Sequence, residues 1–295
     1  ILNFYSQYDS KLKIIILDSS SENIDSELNS VMDQKNFDYH KYSPTISPWD
    51  KIANGCQFVN TPYVVLCADD DFIIPQAISK CTNFLEKNID YSSAQGFTYK
   101  HHITETDNKL QFHFKRSNAK AKSIDDEKPL QRLSLYCKDH TIYNPVYAVH
   151  RTDLFSKIWK QTSIYGKNFM TGEIYSCAMS LLSGKMKVFD FFYSSREANQ
   201  IRWYDDKLLK KMLSDKNLVT ASIGLGKELC LSSKFPSDVL EKKIKNLINI
   251  YSLHALKKKN ISIFSRLFLR GFDKLRIILT KNNNILNKEL KKTNY

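Results

Sequence analysis

Residues 61–75 read Thr-Pro-Tyr-Val-Val-Leu-Cys-Ala-Asp-Asp-Asp-Phe-Ile-Ile-Pro, and the rest of the chain is organised around them. The run from Tyr63 to Ala68 is short, apolar and β-prone, as expected of a strand covered on both faces of a sheet. Asp69, Asp70 and Asp71 follow at its end without a spacer, and Pro75 then opens a helical pattern through Ile78, Cys81, Phe84 and Leu85. Three adjacent carboxylates repel one another unless a cation or hydrogen-bond donors offset them. Hard oxygen ligands suit magnesium or manganese, ions that keep their waters and bind substrate phosphates rather than sitting in an all-protein cage. A solvated acidic turn is the bland alternative. Position favours a ligand site, because ligands of open α/β sheets bind beyond the carboxyl ends of the strands.

Working outward, the upstream pattern is the tail of a helix over 1–8, a strand over 13–17 ending at Asp18, a polar-faced helix over 21–35, a strand over 37–42 and a helix over 48–59 carrying Lys51 and Asn54. Downstream come the helix over 75–87 and a strand pair, 94–101 with 110–115, joined through a turn-rich connection. Residues 117–128 are polar and charge-mixed, which fits a mobile loop over a site or, by default, a surface loop with no role. A helix over 129–138, a strand over 142–150 and a helix over 152–161 follow. In the helix that begins at Thr171, apolar positions 174, 177, 178, 181 and 182 form a buried stripe, with Glu173 in the first turn and Gly184 ending the helix through its φ freedom. A strand over 186–193 leads to Arg196, and beyond Trp203 the pattern is helical and basic.

The 295 residues are 42% apolar, which excludes general disorder. The reading is an α/β catalytic domain over 1–200 and a helical C-terminal region over 201–295. The formal charge of +13 is spread along the chain with one concentration near its end, favouring an anionic substrate or lipid surface over a nucleic-acid partner. Over 253–279, large apolar residues interleave with basic ones, as in a helix docked on an anionic membrane or packed on its own domain. Six cysteines, at 56, 67, 81, 137, 177 and 230, form no CxxC pair and read as reduced core residues. No apolar run of about 18 residues is present. The expected location is cytoplasmic, or peripheral at the inner face of the cell membrane.

Four anchors occur in order: the strand ending at Asp18, the helix with Lys51 and Asn54, the Asp69–Asp71 cluster followed by Pro75, and the Gly-Glu helix closed by Gly184. In this order the chain resembles a family-two glycosyltransferase of the GT-A fold, within a bacterial subgroup whose strand end reads TPYVVLCADDDF, over roughly residues 1–197. The resemblance implies a Rossmann-like mixed α/β sheet flanked by helices. It implies Asp18 as the nucleotide-base contact, with Asp69, Asp70 and Asp71 sharing the ribose and metal roles. Aligning on Pro75 puts Ala68 where the family has its first aspartate. The assignment is then Asp69 to the ribose and Asp70 or Asp71 to manganese or magnesium. Glu173, eleven residues before Gly184, is implied as the general base, a task for which a carboxylate in a closed, partly dry site can be tuned. Without the resemblance, Glu173 reads as a residue complementing the helix dipole. The family's first strand has no counterpart, so the reading expects an N-terminally truncated fragment.

His150 ends a strand beside the expected cleft and reads as a third metal ligand or phosphate donor, against the plainer role of satisfying a carbonyl. Arg196 reads as a contact to the leaving diphosphate, or else as a salt-bridge partner of a nearby acid. Lys51, with Trp49, reads as lining the nucleotide pocket, against the plainer role of a solvated lysine on a helix face. Together these imply a metal-dependent, inverting transfer of a sugar from a nucleotide-diphosphate donor to a saccharide or lipid-linked acceptor. The competing readings are a degenerate nucleotide-binding or membrane-surface scaffold and a sugar-phosphate nucleotidyltransferase, the latter disfavoured by the lack of a Gly-rich phosphate loop.

Overall fold

A short helix α1 (Leu2–Ser6) precedes β1 (Ile14–Asp18), whose Ile-Ile-Ile-Leu-Asp run pairs in parallel with β2 (Phe37–Lys41) from Ile14↔Phe37 to Asp18↔Lys41. Ser47 then caps α2 (Pro48–Gly55). Its Oγ accepts from the N–H groups of Trp49 and Asp50 at 3.2 and 3.4 Å, and proline takes the first helical position, where no donor is needed. This computed structural model describes residues 2–7, 12–22, 36–106, 109–117, 121–138, 145–165 and 169–197, with positions 238, 239 and 242. The chain divides into units Ile1–Leu247 and Ile248–Tyr295, and every described residue lies in the first. Residues 23–35 of the helix expected over 21–35, the basic tail and Cys230 lie outside the described residues.

The apolar run after Pro62 does not form one strand. β3 (Tyr63–Val64) pairs with only two residues, Val65–Ala68 run on outside any ladder, Asp69 and Asp70 make a turn, and Asp71 opens a separate strand, β4 (Asp71–Ile73). Hydrophobicity reports partial burial there, supplied by side-chain packing without a ladder. Helix α3 (Pro75–Lys87) follows, burying Ala77, Cys81 and Leu85 one turn apart. Next come the long hairpin β5 (Tyr91–Thr106) and β6 (Lys109–Arg116), helix α4 (Pro129–Lys138), β7 (Val149–Arg151), helices α5 (Thr152–Tyr165) and α6 (Phe169–Ser183), and β8 (Lys185–Glu197).

The sheet of six strands has the order β3-β7-β5-β8-β4, with β6 also on β5. Strands β5 and β8 are parallel, and the other pairs in this sheet are antiparallel. Because β8 overlaps both β7 and β6 along β5, it takes one edge of β5 while β7 and β6 divide the other. Helix α3 covers this sheet through a core of Ile73, Ala77, Cys81, Leu85, Ala94, Val149 and Tyr193.

Two expectations are corrected here. Residues 121–128 are tied down: Ile124 and Met186 exchange both backbone hydrogen bonds at 2.9 Å, and buried Arg132 donates to the carbonyls of Asp126 and Glu127 while also capping α6 through Leu181 and Leu182. Gly184 does end α6, but its φ is not left-handed. A Cβ there would lie 2.7 Å from the Ser92 backbone nitrogen, so close approach to β5 is what demands glycine. The five described cysteines are free thiols, and no helix among the described residues is long and apolar enough to cross a membrane.

Candidate active site

The acidic turn is built from behind by an aromatic helix. One edge of β4 pairs with β8; at its other edge the Tyr5 hydroxyl accepts from Ile73 N–H at 2.8 Å and donates to Ile73 C=O at 3.2 Å. Phe4 packs edge-on against Phe72, and the Cys67 thiol donates to the carbonyls of Ala68 and Asp71. The three aspartates therefore divide. Asp69 is exposed, Asp70 is half-buried, and Asp71 is buried at 3% exposure. Neither Asp69 nor Asp70 makes a side-chain hydrogen bond or ion pair among the described residues.

Asp71 faces Arg196 across the β4–β8 pair, and Arg196 Nε donates to its Oδ2 at 2.7 Å. Burial raises the Asp71 pKa, a pressure that Arg196 opposes and the neighbouring Asp70 charge reinforces. The guanidinium lies over Tyr147, 4.1 Å from the ring centroid. Burial works against its charge but is outweighed by Tyr147, Asp71 and Glu173 around it, so Arg196 holds its proton more tightly than usual. Its two terminal amino groups have no hydrogen-bond partner among the described residues.

Tyr147 is where the site comes together. Its phenol is pushed up to about 12 by burial, with the charges of Arg196, Glu173, Asp71 and Asp70 all acting on it. Of these groups, Arg196 on β8 is the one seated against the Tyr147 ring, and Asp71 is bonded to Arg196. Two bonds fix the turn that presents it: Tyr193 O–H donates to the Tyr147 carbonyl at 2.7 Å, and His150 Nε2 meets the Pro145 carbonyl at 2.6 Å. Glu173 is half-buried and stands one turn inside α6, since the helix begins at Phe169 rather than Thr171. Its predecessor Gly172 fixes its place, because a Cβ at 172 would overlap the indole of Trp49, itself stacked on Trp159.

A second group lies at the end of β1. Asp18 Oδ2 accepts from Tyr39 O–H at 2.6 Å and Lys41 Nζ at 2.8 Å, and Oδ1 accepts from Ser20 N–H at 2.7 Å. Burial would raise its pKa, but these donors more than reverse that and hold the carboxyl well below the usual range. Lys51 reaches the same strand end from α2, donating to Ser19 Oγ at 2.8 Å.

His150 does not join the carboxylates. It is 3% exposed, opposite Val64 and Ser93 in the sheet, with its ring against Phe155 and Nε2 on Pro145. Burial lowers its pKa to about 4, so it is a neutral core imidazole. The ligand set Asp70, Asp71 and His150 is not assembled, and among the described residues no three His, Cys, Asp or Glu side chains are arranged to hold a metal ion. Tyr147 and Tyr5 escape sequence reasoning. Each lies more than 45 residues from its key partner, and tyrosine in an apolar run reads as core.

A mixed sheet flanked by helices, with the β1–β2 pair beside it in a sheet of its own, is a GT-A-like glycosyltransferase fold. Among solved structures the chain is similar to S. aureus TarS. Residues 1–349 of TarS match with a TM-score of 0.55 at 11% identity, over 88% of this chain and 68% of that one. A longer TarS structure matches with a TM-score of 0.54 at 11% identity, over 84% of this chain and 40% of that one. At such identity the likeness is one of fold. No family profile matches the sequence, and no curated protein matches it.

Proposed function

We propose that the chain is a glycosyltransferase that moves a sugar from a nucleotide-diphosphate donor to a saccharide or lipid-linked acceptor, with inversion by single displacement. The observation that carries this is a GT-A-like fold in which Arg196 is bonded to Asp71 of the acidic turn and lies over the Tyr147 ring. Asp18 and Lys51 at the end of β1 are the groups for the nucleotide base and its pocket, and exposed Asp69 is the group for the ribose.

In the transfer, Glu173 takes the proton from the acceptor hydroxyl as its oxygen bonds to the anomeric carbon. The bond from that carbon to the diphosphate breaks, and the nucleoside diphosphate leaves with the electron pair. Arg196 offsets the charge that grows on the leaving oxygens, its orientation held by Asp71 on one side and Tyr147 beneath. Its charge is fixed before the reaction begins.

The metal role in this reading falls to a carboxylate of the acidic turn. Asp71 is committed to Arg196 and His150 to Pro145, which leaves Asp70 as the carboxylate suited to magnesium or manganese, the remaining ligands being waters and substrate phosphate. Such an ion supplies Lewis-acid stabilisation of the diphosphate when bound. The test is a panel of nucleotide sugars incubated with the protein, with and without manganese, scored for slow release of nucleoside diphosphate. One donor class is expected to turn over, more slowly in Arg196→Gln. No release from any donor, with no nucleoside diphosphate bound in calorimetry, contradicts the reading.

A further inference from the structure

Helix α5 buries Phe155, Ile158, Trp159 and Thr162 at helical spacing. Ser156, Lys160, Ser163 and Ile164 repeat that spacing on the next face round. This face meets the end of α2 and the 3₁₀ turn Cys56–Phe58 that continues it, and a hollow of about 460 Å³ lies between them. None of the groups placed at the candidate site lines it. Its floor is made of short side chains, Ala53, Cys56, Ser156 and Ser163, all half-buried. Its rim is made of longer or polar ones, Asn54 and Gln57 on one side and Lys160 and Ile164 on the other, all exposed. Short residues below and longer ones above are what open the space between the two helices.

Sites for small ligands run from about 300 to 1,000 Å³, and this hollow falls in that range. Burial pushes the Cys56 thiol up to about 11, against its hydrogen bond to Ser156, so the floor offers a neutral thiol and no nucleophile. The hollow therefore binds rather than reacts. Asn54, Gln57 and Lys160 make no side-chain hydrogen bond or ion pair among the described residues, which leaves their polar atoms for a ligand. Each carboxamide carries both donors and an acceptor, matching a ligand whose hydroxyls also do both. Ile164, 54% exposed, adds an apolar wall suited to C–H groups. No aromatic ring lines the hollow to stack a nucleobase, and one lysine without an arginine is poor provision for a phosphate.

Resting for its role on the glycosyl-transfer reading, we infer that this hollow is a second saccharide-binding site, holding a stretch of the acceptor glycan away from the sugar being modified. Asn54 and Gln57 bond its hydroxyls, and Ile164 faces its C–H groups.

NMR titrations of the full chain with maltotriose, cellotriose, chitotriose and inorganic phosphate test this. The wild type is expected to bind at least one trisaccharide. Asn54→Ala/Gln57→Ala is expected to weaken that binding roughly tenfold, with Gln76→Ala/Asn83→Ala, which removes the same two groups from the exposed face of α3, within about twofold of wild type. Ser156→Leu, which fills the floor, is expected to abolish the binding; if this variant does not fold, the rim pair decides. Undiminished binding in the rim pair would overturn the inference by placing the sugar elsewhere, and so would equal losses in the rim and control pairs. A wild type that binds none of the three trisaccharides would also overturn it, whether or not it binds phosphate. Nucleoside diphosphate binding to the wild type is measured separately, so that its absence counts against glycosyl transfer while trisaccharide binding still decides the hollow.

Discussion

Asp71 and Arg196 hold each other in a place where neither is comfortable alone. Asp71 is 3% exposed, and removing its partner leaves a buried carboxylate with an unmet charge. Arg196→Gln is expected to cost about 3 kcal/mol of stability. The double variant Asp71→Asn/Arg196→Gln is expected to recover part of that, measured as urea midpoints in a double-mutant cycle. A second prediction concerns Asp18, whose carboxyl titrates well below its ordinary range despite burial, because Lys41, Tyr39 and Ser20 donate to it. A depressed value in the folded state means that this group stabilises the fold above the unfolded-state value of about 3.9. That contribution is lost as pH falls toward the folded-state value. Wild-type protein should therefore lose more stability between pH 5 and pH 3 than Asp18→Asn does, and equal slopes would show that the three donors do not act on Asp18 as described.

Individual elements set the positions of the reactive groups through a few close contacts. Helix α6 approaches α2 so tightly that Gly172 has no room for a side chain against Trp49. Gly172→Ala is expected to cost about 1–3 kcal/mol through overpacking and, by shifting the neighbouring Glu173, to lower turnover more than donor affinity. Thermal melts and a kcat/KM split measure both. Tyr5 closes the outer edge of β4 with one hydroxyl. Tyr5→Phe leaves the buried Ile73 N–H without its partner and is expected to cost about 1–3 kcal/mol. An unchanged melting temperature would show that the backbone finds another partner. The sequence exposed the elements better than their pairing. The helices from Pro75 and Pro129 match their structural bounds because a proline start and 3.6-residue periodicity are local signals. Residues 63–68 were misleading because an apolar run reports burial, and Val65–Ala68 are packed without joining a ladder.

At the scale of the whole molecule, the site depends on contacts that sequence order hides. Asp71 and Arg196 are 125 residues apart, and nothing in either neighbourhood announces the other. The acidic cluster, Glu173 and Arg196 were visible as candidates because charged residues at element ends stand out against apolar surroundings. Tyr147 was not, because only the folded sheet brings Arg196, 49 positions away in the chain, over its ring. His150 misled for the opposite reason: an imidazole at a strand end looks like a ligand until its partner, the Pro145 carbonyl, is known. The most direct test of a single site shared by the acid on α6 and the groups at β4 is sugar transfer, or donor hydrolysis where no acceptor is in hand, compared between wild type and Glu173→Gln with nucleoside diphosphate affinity measured on the same samples. The predicted result is a fall in turnover of about 100-fold or more with affinity retained; full activity in Glu173→Gln would contradict it.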